Sequence, residues 1–200
     1  MTEKTGVLHV SNAPRPVNSF AIARTGEVVC LTQTKTLLRD SPCRHRWELS
    51  SSQEKEWVIS QLEQSLPGDG EAHVFLRQRA ALMADEMLEN ALFAAPRDSH
   101  GKPIYRKGEK RVLLPGECIT FCSLYDGHTL ALEVTDTWGR LTSETVRAFL
   151  DMNLAGEDTK EHRSGRGLYF MWCFLKDFYL SVVPGVETTI GGLLQLNTAR

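Results

Sequence analysis

Two hundred residues suffice for one well-packed domain with a modest extension and are too few for two full-sized domains. Hydrophobic residues at 42% and charged residues at 24% give the balance of a folded, soluble globular chain. A net charge of -2 and a pI near 6.3 supply no basic field for a phosphate backbone, which excludes nucleic acid as the expected partner. The longest apolar run, about Gly167 to Leu175, falls far short of the ~20 residues that cross a bilayer, and Met1 to Lys4 lacks a signal-peptide core. No membrane partner is expected, and the expected location is cytoplasmic. Five cysteines without a CxxC pair suggest reduced, packed thiols rather than a disulfide framework or a zinc site.

In chain order, residues 1–43 read as an amino-terminal β-rich extension, with β-like runs at Leu8 to Val10 and Glu27 to Thr32 between turn signals. Residues 44–200 form the main domain, opened by a strand at His45 to Leu49. A serine among Ser50, Ser51 and Ser52 caps a helix from about Gln53 to Leu66, with Trp57, Val58, Leu62 and Leu66 as its apolar side. A longer helix spans about Glu71 to Ala95 and stops before Pro96. After a polar loop from Arg97 to about Gly116 come strands Cys118 to Tyr125 and Thr129 to Thr135, joined by an Asp126-Gly127 turn. A helix at Ser143 to Met152, a Gly-rich charged loop at Asn153 to Arg166 and a helix from Gly167 to about Phe178 follow. Strands Tyr179 to Val183 and Thr188 to Leu196, turned at Pro184-Gly185, complete the chain.

Three constellations carry chemistry. At about 100° per residue, Glu86 and Asn90 stand one above the other on the long helix, with Leu82 one turn before Glu86 and Phe93 two turns after it. A carboxylate and an amide among apolar neighbours need a partner, such as a metal or a nucleotide, unless they are a solvated flank. Glu89 points about 60° away and reads as a surface charge. In the strand ending at Asp136, period two puts Leu130, Leu132, Val134 and Asp136 on one face. That acid either accepts a hydrogen bond from a base amino group, with Gly139 letting the chain approach, or satisfies turn backbone. Ser164-Gly165-Arg166-Gly167-Leu168 leads into an apolar helix, so its N–H groups either face a polyphosphate or form only a tight turn. Lys160, His162, Arg163 and Arg166 add positive charge there.

In this order, the motifs resemble those of the Bergerat-fold (histidine-kinase-like) ATPase superfamily, which includes DNA gyrase, the Hsp90 chaperones, histidine kinases and MutL. Glu86-Met87-Leu88-Glu89-Asn90-Ala91 resembles the N-box, Val134-Thr135-Asp136-Thr137-Trp138-Gly139 the first glycine box and Gly165-Arg166-Gly167-Leu168 the second. The resemblance covers about Arg44 to Leu196 and is greatest to the serine kinases that act as anti-sigma factors. It implies an α/β fold of the α+β two-layer type, a mixed sheet with helices on one face. It implies ATP and Mg2+ as cofactors, Glu86 as general base, Asn90 as magnesium ligand and Asp136 as the adenine-reading acid. Gly139, Gly165, Arg166, Gly167 and Leu168 would line the nucleotide, and Thr188 or Thr189 would lie near the adenine. The family pattern has glycines two and four residues after the aspartate, where this chain has Trp138 and Arg140. Trp138 either narrows the adenine pocket or stacks on the base.

The expected function is a regulatory serine/threonine protein kinase in a partner-switching pathway, with an anti-anti-sigma-like antagonist or sigma-like factor as protein partner. Similarity to the serine kinases implies a homodimer. The alternative is a non-catalytic module of the same fold that binds protein, with nucleotide as an affinity switch or absent. A clamp like gyrase or MutL fits less well, since no residues remain for a transducer domain.

Overall fold

The computed structural model describes residues 6–10, 21–23, 44–141 and 166–196. Strands β1 (Gly6–Val10) and β2 (Ala21–Ala23) precede β3 (Arg44–Leu49). Helices α1 (Lys55–Ser65) and α2 (Glu71–Glu89) follow, and then β4 (Ile119–Tyr125), β5 (Thr129–Asp136), α3 (Arg166–Phe174), β6 (Lys176–Val183) and β7 (Glu187–Gln195). The expected 27–32 strand and 143–152 helix lie outside these residues, as does the expected 153–166 loop except for Arg166, which begins α3.

The strands form one sheet in the order β2-β1-β6-β7-β5-β4-β3. Its class is α+β, but the expected mixed sheet is corrected: every pairing among the described strands is antiparallel. The reason is the β6–β7 hairpin, which inserts β7 between β5 and β6. Those two strands run in the same direction but never pair. β1 pairs with β6, so residues 6–10 continue the sheet of the main domain.

Register decides what each face does. Asp136 stands opposite Ile119 on one side and Thr188 on the other, while Val134 lies between Phe121 and Ile190. This row packs with the helices in the main core, against Val58, Ile59 and Leu62 of α1 and Leu76, Met83 and Met87 of α2. Alternation places Cys122, Leu124 and Ala131 on the opposite face, where Tyr179 lies across Gly191 and its hydroxyl donates to Glu133. Gly191 leaves the room: a Cβ there would sit 2.3 Å from the Tyr179 hydroxyl.

Local chemistry moves several expected boundaries. The Ser50 hydroxyl and backbone N–H both donate to the Glu54 carboxylate, whereas Ser52 Oγ accepts the Arg111 N–H at 2.9 Å and donates to the Glu109 carbonyl at 3.0 Å. No serine side chain caps the 52–54 turn or α1. Trp57, expected inside, is 56% exposed, and Ile59 takes its place in the core. The last helix ends at Phe174 instead of about Phe178, because Phe178 and Leu180 are needed in β6 to fill the sheet side of the core. No helix among the described residues is long and apolar enough to cross a membrane.

The long helix continues past α2 as a π turn, Asn90–Ala94, in which the Ala95 N–H donates to the Asn90 carbonyl at 2.8 Å. Such an end leaves carbonyls without helical donors. Arg111 supplies one, its Nη1 donating to the Leu92 carbonyl at 2.6 Å while Nη2 pairs with Glu117. This guanidinium ties the 97–116 loop to the helix end. Arg111→Met leaves Glu117 without its cation in a mostly buried place and is expected to destabilise the fold by about 3 kcal/mol; an unchanged urea-unfolding midpoint would refute that role.

Candidate functional site

A cavity of about 340 Å3 opens between α2 with its π turn, the end of β5, the start of α3, β7 and the 97–107 part of the loop. Glu86, Asn90, Asp136, Gly167, Leu168 and Thr188 all line it. Residues spread over a hundred positions thus meet because β5 and β7 pair in the centre of the sheet and both helices lie on the same face. Gly165 lies outside the described residues. Arg166 begins α3, and its side chain is likewise outside them.

At one end, Glu86 and Asn90 face the first turn of α3. A Cβ on Gly167 would stand 2.6 Å from Glu86 Oε2 and 3.0 Å from Asn90 Nδ2, so a side chain there would displace the ends of these two polar groups. Asn90 Nδ2 is buried with no hydrogen-bond partner. Burial pushes the Glu86 carboxyl upward; the ammonium of Lys107 opposes this, while the carboxylates of Asp85 and Glu89 add to it. Leu82, the expected apolar neighbour one turn earlier, is exposed.

Glu89 corrects the expectation of a surface charge. Its side chain is 13% exposed and holds Lys55 at 3.1 Å and Lys107 at 2.5 Å, and it also lines the cavity. The angle was right, but α1 and the loop cover the flank to which it points. Lys55 also pairs with Asp85 at 2.5 Å. Although burial disfavours its charge, these two carboxylates hold its proton more tightly than usual.

At the other end, Asp136 is 3% exposed, and its Oδ1 accepts the Trp138 N–H at 2.9 Å. Opposite it in the ladder, Thr188 is equally buried, and its Oγ1 has no hydrogen-bond partner. Burial raises the Asp136 carboxyl to about 7 against the pull of the Trp138 and Gly139 N–H groups, with the charge of Glu187 adding to the rise.

Trp138 and Gly139 behave differently from the expectation. Trp138 is not part of the cavity wall; its ring faces the Arg111 guanidinium at 5.6 Å, so it neither narrows the cavity nor offers it a face. Gly139 has φ +55°, and a Cβ there would meet the Val183 carbonyl at 2.3 Å. Its freedom serves contact with the β6–β7 turn, where its own carbonyl accepts the Gly185 N–H at 3.0 Å. Arg140 does line the cavity.

Sequence reasoning missed Arg97, Pro103, Tyr105 and Lys107, all cavity-lining residues of the loop read only as polar. One signal was available: a connection of this length without its own secondary structure is more often functional than incidental. No protein-family model and no curated protein matches this chain.

The site's pH behaviour follows from Asp136. The unfolded chain releases that proton near pH 3.9 and the folded chain near 7. Between these values the folded state binds more protons, so this group lowers stability progressively as pH rises from about 4 to about 7, with no further change above. Asp136→Asn keeps an oxygen for the Trp138 N–H and abolishes the titration. Its urea midpoint relative to wild type is expected to rise from about pH 4 to about pH 8, and parallel profiles would contradict the assignment.

Proposed function

We propose that this chain is a histidine-kinase-like ATP-binding domain that acts as a regulatory serine/threonine protein kinase, using Mg-ATP to phosphorylate a partner protein. The observation that carries this reading is the convergence of Asp136 and Thr188 with Glu86, Asn90 and Gly167 on one cavity. Its volume of about 340 Å3 lies in the range of small-molecule sites. The unpartnered Thr188 Oγ1 and Asn90 Nδ2 are polar groups that a bound nucleotide would satisfy.

Each residue then has a role set by its surroundings. Asp136 accepts a hydrogen bond from the adenine amino group, a contact that favours the ionised carboxyl and so draws the binding of base toward proton release. Thr188 bonds the base edge beside it. The first turn of α3, bare at Gly167, presents N–H groups to phosphate oxygens. Among the described residues no three His, Cys, Asp or Glu side chains form a metal cage. Asn90 would hold magnesium through its amide oxygen, with the remaining ligands from phosphate and water, as suits this ion. Magnesium, when bound, supplies neutralisation of phosphate charge. Glu86, its carboxyl raised by burial, orients the partner's hydroxyl and takes up its proton.

Calorimetry with Mg-ATP tests this. Wild type binds, Asp136→Ala and Asn90→Ala lose binding by about tenfold or more, and Glu86→Ala binds but no longer phosphorylates a cognate antagonist. A protein that binds ATP and phosphorylates no partner would be the non-catalytic module. Absence of binding, with indifference to Asp136→Ala, would defeat the nucleotide reading.

A further inference from the structure

The motif residues account for only part of the cavity; the 97–107 segment contributes a wall of its own. Tyr105 and Lys107 both line it. Two residues apart, they are each held by something outside the loop. The Tyr105 ring has the Arg111 guanidinium 3.9 Å from its centroid, and Arg111 is itself buried and fixed by the Leu92 carbonyl and Glu117. One ring face is thus occupied by a rigid cation, and the ring both packs against the main core and lines the cavity. Lys107 is held in another way. Its side chain is 71% exposed, and its ammonium rests on Glu89 at 2.5 Å, close enough to Glu86 to oppose the rise of that carboxyl. Glu89 has a second cation, Lys55, at 3.1 Å and would not be stranded if Lys107 moved.

We propose that the Tyr105–Lys107 segment is a second reading element of the site, in which Tyr105 stacks on the base of a bound nucleotide and Lys107 exchanges Glu89 for its phosphate oxygens. This rests on the nucleotide reading and deepens it. Stacking on an aromatic ring is indifferent to the base's hydrogen-bonding edge and so complements Asp136 and Thr188, which read that edge. Transfer of the ammonium from a carboxylate to a phosphate keeps a charge-assisted bond throughout, while Glu89 keeps Lys55. Tyr105 thereby meets any ligand that carries a ring, and Lys107 only one that also carries an anionic tail.

Binding of ATP and of adenosine to the full chain separates the two contributions. Tyr105→Leu is expected to weaken both ligands alike by roughly tenfold, and Tyr105→Phe to restore wild-type affinity for both. Lys107→Met is expected to weaken ATP by roughly tenfold and leave adenosine unchanged. The proposal is overturned if Tyr105→Leu and Lys107→Met both keep wild-type ATP affinity. It is equally overturned if Lys107→Met weakens ATP and adenosine in the same proportion, which would indicate a loosened fold. Thermal unfolding of Tyr105→Phe and Tyr105→Leu guards against loss of the Arg111 contact as the cause. If the wild-type chain binds neither ligand, the nucleotide reading itself fails and this inference falls with it.

Discussion

The arrangement turns on one missing side chain. At Gly167 the first turn of α3 comes so close to α2 that a methyl group would meet Glu86 and Asn90. Both helices share one face of the sheet, with Leu168 and Met171 reaching the same core as Met83 and Met87. The polar pair of α2 is then brought to the mouth of a cavity instead of to solvent. A larger residue would turn the ends of Glu86 and Asn90 aside and so disturb the polar pair where it faces the cavity.

The three acids of that site have been given different surroundings, and their chemistry differs accordingly. Asp136 is sealed at the end of the central strand, with only backbone N–H groups to compensate, so its proton is held to about neutral pH. Glu86 is half-buried and feels Lys107 without a hydrogen-bonded cation of its own. Glu89 sits between two lysines, and its work is to anchor α1 and the loop to α2. Two glutamates three positions apart thus divide into a cavity-facing carboxylate raised by burial and an anchoring one held between lysines.

The 97–116 loop shows how such a division is maintained. Arg111 satisfies the helix end through Leu92, pairs with Glu117 and lies between Tyr105 and Trp138. A single buried cation therefore holds Tyr105 of the cavity's outer wall and lies beside the ring of Trp138, which is not a lining residue.

What the sequence determined by itself was whatever depends on neighbours along the chain. Helical spacing put Glu86 and Asn90 on one face, period two put Asp136 in line with Leu130, Leu132 and Val134, and Asp126-Gly127 and Pro184-Gly185 marked the two hairpins. Spacing could not say what would cover each face. Glu89 points where periodicity directs it, yet it is buried because α1 and the loop lie over it, and Trp57 is exposed because nothing does. The antiparallel order with β7 between β5 and β6, the meeting of Thr188 with Asp136, and the use of Tyr105 and Lys107 were decided only by tertiary structure. Each depends on contacts between residues far apart in the chain, whose energy comes from burial and pairing that no local pattern encodes.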